Sequence, residues 1–238
     1  MYINWVGTYL NVPKIPVKVV TFDEIVEWSR KLAEKIKESN WQPDVIVAVA
    51  RGGYVPARLL CDWLGVSDLL SVQVVHWPSA AQIAEKAYVK YPINVDLSGK
   101  RVLVVDDIVD TGDSIELAKK SLEECCRPKE VKTAALQVIT SVAKFMPDFY
   151  AVEVREWIWF AYQWNAVEDA TGFIMKIVKE TGKTEWCLDE LIQAHLEWYG
   201  SEYVEKRFGY MLYALDMLVK RGYIKLSKCL ASPNIAVR

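Results

Sequence analysis

Four carboxylates fall within eight residues of the stretch Val102-Leu103-Val104-Val105-Asp106-Asp107-Ile108-Val109-Asp110-Thr111-Gly112-Asp113-Ser114, with no lysine or arginine among them. Adjacent carboxylates such as Asp106 and Asp107, at the end of an apolar run, have two chemical uses. They hold a divalent cation, or they accept hydrogen bonds from the two hydroxyls of a ribose. A solvated strand end would carry them too. The residues that follow ask for an anion. Between a strand and a helix, backbone N–H groups point outward without partners, Thr111 and Ser114 add hydroxyl donors, and Gly112 lets the main chain come close. Ribose and phosphate recognition side by side describe a ribose 5-phosphate. A GxxxxGK nucleotide loop is excluded, because its lysine is missing. A second concentration of chemistry is Ala50-Arg51-Gly52-Gly53. The guanidinium suits a diphosphate and the glycines free backbone donors, although RGG alone reads equally as a turn.

Both groups need elements that bring them together. Thr21-Phe22-Asp23-Glu24 has capping-box spacing, and Ile25, Trp28, Leu32 and Ile36 then recur on one face of a helix over 21–40. Residues 44–50, 69–75, 101–105 and 131–139 read as strands, with helices over 55–64 and 114–125 between them. Strands alternating with helices predict a parallel sheet with right-handed crossovers, in which ligands sit beyond the carboxyl ends of the strands. Arg51-Gly52-Gly53 and the aspartates both follow such ends. Residues 77–96, with Pro78 and Pro92, are poorly periodic and predict a long functional loop. After about Thr171 the pattern becomes helical, over 174–180, 185–199 and 202–221, with Gly200 and Gly222 as C-caps and 223–226 as one strand.

Composition sets outer bounds. The 238 residues are 52% hydrophobic and 25% charged, the balance of a globular protein, and no apolar run is long enough for a bilayer. The start MYINWVGTYL has neither a basic segment nor a small-residue cleavage site, so no signal peptide and a cytoplasmic location are expected. A net charge of −2 argues against a nucleic-acid partner. Five cysteines (Cys61, Cys125, Cys126, Cys187, Cys229) without metal-type spacing predict reduced, mostly buried thiols. Two histidines, His76 and His195, are too few for a histidine-rich metal site.

VLVVDDIVDTGDS resembles the phosphoribosyl-diphosphate signature of type I phosphoribosyltransferases, and Ala50-Arg51-Gly52-Gly53 resembles their pyrophosphate loop. Over residues 19–169 the order of motifs is similar to the 6-oxopurine branch, the xanthine-guanine and hypoxanthine-guanine enzymes, and above all to archaeal-type purine phosphoribosyltransferases. The resemblance implies an α/β type I phosphoribosyltransferase fold, a parallel-sheet Rossmann-like core with a hood, over residues 1–170. A small, mostly helical, winged-helix-like module would occupy 171–238. It implies a purine salvage enzyme that moves the 5-phosphoribosyl group from phosphoribosyl diphosphate to N9 of guanine, hypoxanthine or xanthine, with Mg2+ as cofactor and a homodimer or higher homo-oligomer as the working form.

Site residues follow by position. Asp106 and Asp107 would take the ribose hydroxyls and, through them, the magnesium. Asp110 would face the purine N7 as general base, and Thr111, Gly112, Asp113 and Ser114 would surround the 5-phosphate, Asp113 through helix N-terminal charge only. Arg51, Gly52 and Gly53 would hold the diphosphate, with Arg51 neutralising it as it departs and the Ala50–Arg51 peptide cis. The negative charge left near C1′ would stabilise an oxocarbenium-like transition state. Lys144 would donate to the 6-oxo group, Trp157 would stack on the base and the Ile158 backbone would read its edge. One departure stands out. Where related chains continue Pro-Trp-Glu, this one has Ala161-Tyr162-Gln163, so a carboxylate assisting magnesium is absent or displaced to Glu168 or Asp169. The loop 77–96 would be the lid, and His76 is assigned no role.

Two alternatives stay open. Lys220, Arg221, Lys225 and Lys228 beside a helix-and-wing pattern would suit a transcriptional regulator that senses phosphoribosyl diphosphate. The aromatic helix before them, with Tyr203, Phe208, Tyr210 and Tyr213, suits packing against the main domain or a second subunit better. Transfer to adenine or a pyrimidine would differ only at the hood and Lys144.

Overall fold

The computed structural model describes residues 13–75 and 87–229. Along the chain run β1 (Val17–Val19), α1 (Phe22–Glu38), β2 (Val45–Ala50), α2 (Tyr54–Leu64), β3 (Leu69–Val75), β4 (Tyr88–Tyr91), β5 (Arg101–Val109) and α3 (Asp113–Cys126). There follow β6 (Glu130–Ile139), β7 (Phe149–Val154), β8 (Trp159–Ala161), α4 (Ala166–Thr181), β9 (Glu185–Trp186), α5 (Leu188–Tyr199), α6 (Ser201–Lys220) and β10 (Lys225–Leu226). They form two compact units, residues 21–157 and residues 13–20 with 158–229. No helix among the described residues is long and apolar enough to cross a membrane.

The first unit is an α/β layer. Thr21 opens α1 with a complete capping box: its Oγ1 accepts from the Glu24 N–H at 3.2 Å, and the Glu24 carboxylate accepts from the Thr21 N–H at 2.9 Å. Ile25, Trp28, Leu32 and Ile36 are buried, as the spacing requires. The sheet order is β4-β3-β2-β5-β6-β7, parallel except for β4. The central strand β2 is buried at all six positions, which is why it carries no polar alternation.

Two expectations need correcting. Residues 88–91, read as part of an irregular loop, form an edge strand antiparallel to β3. Three of its four residues are exposed, so there is no buried face to imprint a period on the sequence. Residues 76–86, with His76 and half of the expected lid, lie outside the described residues. Strand β5 does not stop at Val105 but runs to Val109. Its pairing with β2 ends at Val105, while its pairing with β6 continues to Val109. Asp106 and Asp107 therefore stand within the strand, on the stretch where β2 has already turned away.

In the second unit, β1 pairs in parallel with β8, and α4, α5 and α6 enclose a core that includes Phe173, Ile177, Leu191, Tyr199, Tyr203 and Leu215. The rings of Phe173 and Tyr199 stack with centroids 3.9 Å apart. Helix α4 begins eight residues earlier than the sequence pattern suggested and passes through position 170 without a break. On α6, Tyr203, Val204, Arg207, Met211, Ala214, Leu215 and Leu218 are buried within this unit. Its outer side carries the i,i+4 pairs Glu202–Lys206 and Asp216–Lys220, a mixed-charge face rather than a basic one. Against expectation, Cys187 and Cys229 form a disulfide, as do the neighbours Cys125 and Cys126, and only Cys61 is a buried free thiol. The parallel pairing of β9 with β10 explains the first, because it returns the chain beside the residue that follows Trp186.

His195 is fully buried on α5, with Nδ1 2.8 Å from the Leu191 carbonyl. Burial lowers its pKa from 6.5 to about 4, the Leu191 bond acting in the opposite sense. A depressed pKa means the fold binds the neutral ring, so stability is full above pH 6.5 and falls as pH drops toward 4, by roughly 3 kcal/mol at most. His195→Gln should flatten the Tm profile between pH 6.5 and 4. An equally steep profile in the variant would assign that acid loss to other groups.

Candidate active site

Two turns build the site in the first unit. At the end of β2 the Ala50–Arg51 peptide is cis, as the resemblance implied. Gly52 and Gly53 follow, Gly53 as the N-cap of α2, and Arg51 is exposed. The need for glycine at 52 is steric: a Cβ there would lie 2.5 Å from Cγ of Asp107. The two motifs, more than fifty residues apart in sequence, are in van der Waals contact across the β2–β5 step.

Asp106 and Asp107 are buried, at 8% and 7% exposure. Their near oxygens are already engaged: the Asp107 N–H donates to Asp106 Oδ1 and the Ile108 N–H to Asp107 Oδ1, both at 2.9 Å. Burial pushes the Asp106 carboxyl well above the ordinary carboxylate range, and the charge on Asp107 adds to this. A pair of this kind holds excess negative charge that a cation or hydroxyl donors would relieve. Two hard oxygen donors fit magnesium better than any softer metal.

The chain then leaves the strand through Asp110 and Thr111 and enters α3 over Gly112, whose φ is +95°. A side chain there would be strained, and its Cβ would lie 2.7 Å from the Phe145 carbonyl and Cβ. Asp106, Ile108 and residues 109–115 line an open pocket of about 300 Å3. Its floor is the N-terminus of a 14-residue helix, whose dipole favours a phosphate; the Asp113 N–H there donates to Thr111 Oγ1 at 3.4 Å.

The structure thus joins Gly52, Asp106, Asp107, Asp110, Thr111, Gly112, Asp113 and Ser114. Lys144 joins them through its backbone, donating its N–H to the Thr111 carbonyl at 2.8 Å, while its side chain is exposed. Phe145 makes the same backbone contact at 3.2 Å and closes the space behind Gly112. Phe145, Ile108 and Ile115 escaped the sequence reading because nothing distinguishes an apolar pocket wall from core. Trp157 is 42% exposed and ends the first unit, whereas Ile158 begins the second. Gln163 is committed elsewhere: its amide donates to the Val20 carbonyl and its Oε1 accepts from Arg207. Asp169 is buried on α4, and Glu168 is exposed.

With this geometry in place, residues 21–169 match the sequence profile of the phosphoribosyl transferase domain. The chain belongs to the phosphoribosyl transferase family. A purine phosphoribosyltransferase from Pyrococcus horikoshii is 34% identical, with a TM-score of 0.53 over 61% of this chain and 93% of that one. The xanthine-guanine phosphoribosyltransferase of Gluconobacter oxydans is 27% identical over 69% of this chain and 92% of its own length. A Neisseria gonorrhoeae protein solved with bound ppGpp is 27% identical, with a TM-score of 0.54 over 64% of this chain and 90% of that one. In this phosphoribosyltransferase the matched region stops inside α4, and residues 170–238 lie beyond it.

Proposed function

We propose that this phosphoribosyltransferase transfers the 5-phosphoribosyl group of phosphoribosyl diphosphate to N9 of a 6-oxopurine in purine salvage. The observation that carries the reading is the continuous run from the buried pair Asp106 and Asp107, through Asp110, into the anion nest of α3 around one pocket. The purine substrates named for the Pyrococcus and Gluconobacter relatives support the choice of base, and ppGpp on the Neisseria protein fits a pocket for phosphorylated ribose.

In this reading Thr111 to Ser114 anchor the 5-phosphate, and Asp106 and Asp107 accept from the ribose hydroxyls. Arg51, with the backbone at Gly52, receives the diphosphate. The Gly53 and Tyr54 N–H groups are engaged with the Val49 and Arg51 carbonyls at 2.9 and 3.3 Å and do not join, contrary to the expectation for Gly53. The bond from C1′ to the diphosphate oxygen breaks and the bond from C1′ to N9 forms, while the Asp110 carboxylate accepts the proton from N7. Aspartate charge around C1′ stabilises the positive charge that develops there. Magnesium bound with the diphosphate substrate, toward Asp106 and Asp107, would neutralise the leaving group. Lys144, whose ammonium only donates, selects an oxo group over an amine, and Trp157 and Ile158 hold the base. The transfer unit extends to about residue 170 with an accessory helical module after it, and the working form is a cytoplasmic homodimer.

The test is diphosphate release from magnesium phosphoribosyl diphosphate with guanine, hypoxanthine, xanthine, adenine, uracil and orotate in parallel. Turnover confined to the oxopurines is expected. Turnover of adenine alone would overturn the base site, and binding without any turnover would move the sensor reading to first place.

A further inference from the structure

The helical module holds a cluster of ligating side chains that the transfer chemistry leaves unused. Its two short strands pair in parallel, Lys225 beside Glu185 and Leu226 beside Trp186. The Lys225 N–H donates to the Thr184 carbonyl at 2.9 Å, and the Ser227 N–H to the Trp186 carbonyl at 3.0 Å. This ladder returns the chain from α6 to the start of α5, so that Cys229 reaches Cys187 across 42 residues. Cys187 is the N-cap of α5, and Asp189 lies in the first turn. The sulfurs of Cys187 and Cys229 and a carboxylate oxygen of Asp189 all lie within 4.8 Å of one another. Among the described residues no other three His, Cys, Asp or Glu side chains converge so closely. Glu190 Oε2 accepts from the Cys187 N–H at 3.2 Å and from Lys183 Nζ at 2.7 Å. Glu190 is thereby committed to the turn, and Asp189 is the carboxylate that meets the sulfurs.

The two sulfurs are joined as a disulfide. A dithiol reductant converts it to two thiols: one S–S bond breaks, two S–H bonds form, and the reductant leaves as its own disulfide. The main-chain bonds of β9 and β10 are untouched by that step and keep the sulfurs neighbours. Cys187 then presents its sulfur at a helix N-terminus, where the dipole favours negative charge. Two thiolates and one carboxylate are a donor set for Zn2+, with water in the fourth position of a tetrahedron, and too soft for magnesium. We propose that Cys187, Cys229 and Asp189 form a zinc site that opens when the disulfide is reduced. One S–S bond is exchanged for two Zn–S bonds and one Zn–O bond, and the two thiol protons are released as the ion binds. The ion ties the end of β10 to α5, as the disulfide does in the oxidised chain. The site lies wholly within the helical module and stands apart from the purine reading.

The experiment is Zn2+ binding to the full-length chain, reduced with a phosphine and in parallel oxidised, with excess Mg2+ present to fill sites made only of oxygen. Competition with a chromophoric zinc indicator reads stoichiometry and affinity. Co2+ in place of Zn2+ reads the ligands, through thiolate charge-transfer and tetrahedral d–d absorption. The reduced chain should take one ion, with the cobalt spectrum of a thiolate site, and the oxidised chain none. Cys187→Ser and Cys229→Ser should each weaken Zn2+ binding by about 100-fold or more, and Asp189→Asn by about 10-fold or more. Cys125→Ser, in the other cysteine pair, should bind like the wild type. No uptake by the reduced chain, equal uptake by the oxidised chain, or full affinity in any of the three ligand variants would overturn the proposal. An equal loss in Cys125→Ser would overturn it too, by placing the ion elsewhere. Should a serine variant not fold, alkylation of the reduced wild type followed by mass spectrometry decides instead. Zn2+ should protect Cys187 and Cys229 from iodoacetamide, and equal modification with and without the ion overturns the site.

Discussion

With Asp110 as the proposed general base, Asp110→Ala should lower turnover by about 10²–10⁴-fold, the range for a lost general base, and leave KM for phosphoribosyl diphosphate nearly as in the wild type. The separation follows from where Asp110 stands. It is exposed at the first turn past β5 and lines the pocket, one step beyond the buried pair and one before the anion nest. In the proposed mechanism, phosphate and ribose keep their donors and acceptors when it is removed, whereas the proton on the base loses its acceptor. Asp110→Asn, which keeps the shape and loses the basicity, should match the alanine variant. The measurement is single-turnover chemistry with each variant, so that product release does not mask the step. An unchanged rate would remove Asp110 from the mechanism, and a loss expressed only in KM would make it a substrate contact.

Asp106→Asn should move two quantities in opposite directions. Its carboxyl is buried beside Asp107, and burial with like charge already favours its neutral form. The amide removes that repulsion and keeps Oδ1 as an acceptor for the Asp107 N–H. The ligand-free protein should therefore gain about 1–2 kcal/mol, a rise in Tm of roughly 2–6 °C. On the proposed reading, in which substrate and its cation draw Asp106 back to the carboxylate, binding of magnesium phosphoribosyl diphosphate should fall about 10- to 100-fold. Differential scanning calorimetry with and without the substrate reads both effects. A variant that is less stable without ligand would show that the carboxylate supports the fold rather than being stored against it for binding.

Much of the site was legible in the residues, for physical reasons particular to each stretch. Gly112 and the hydroxyls beside it mark an anion nest in any chain, because backbone approach and a positive φ leave few alternatives to glycine. The buried run of β2 and the box at Thr21 announce themselves through local spacing. The edge strand at 88–91 did not, since an exposed strand bears no period. Nor did the length of β5: whether Asp106 lies in a strand depends on β6 continuing beside it after β2 has left.

The sequence by itself determined which groups are available, a pair of adjacent carboxylates, a third carboxylate and a glycine with flanking hydroxyls, because they lie within nine consecutive residues and need only one strand-to-helix turn to come together. Contacts between distant segments were decided by the tertiary structure alone. The fit of Gly52 against Asp107, Phe145 behind Gly112, and the Arg207 fork on Ala161 and Gln163 each join residues more than thirty positions apart. No local pattern encodes such pairs, since they arise only when packing of the sheet and of the helical module brings their elements into contact.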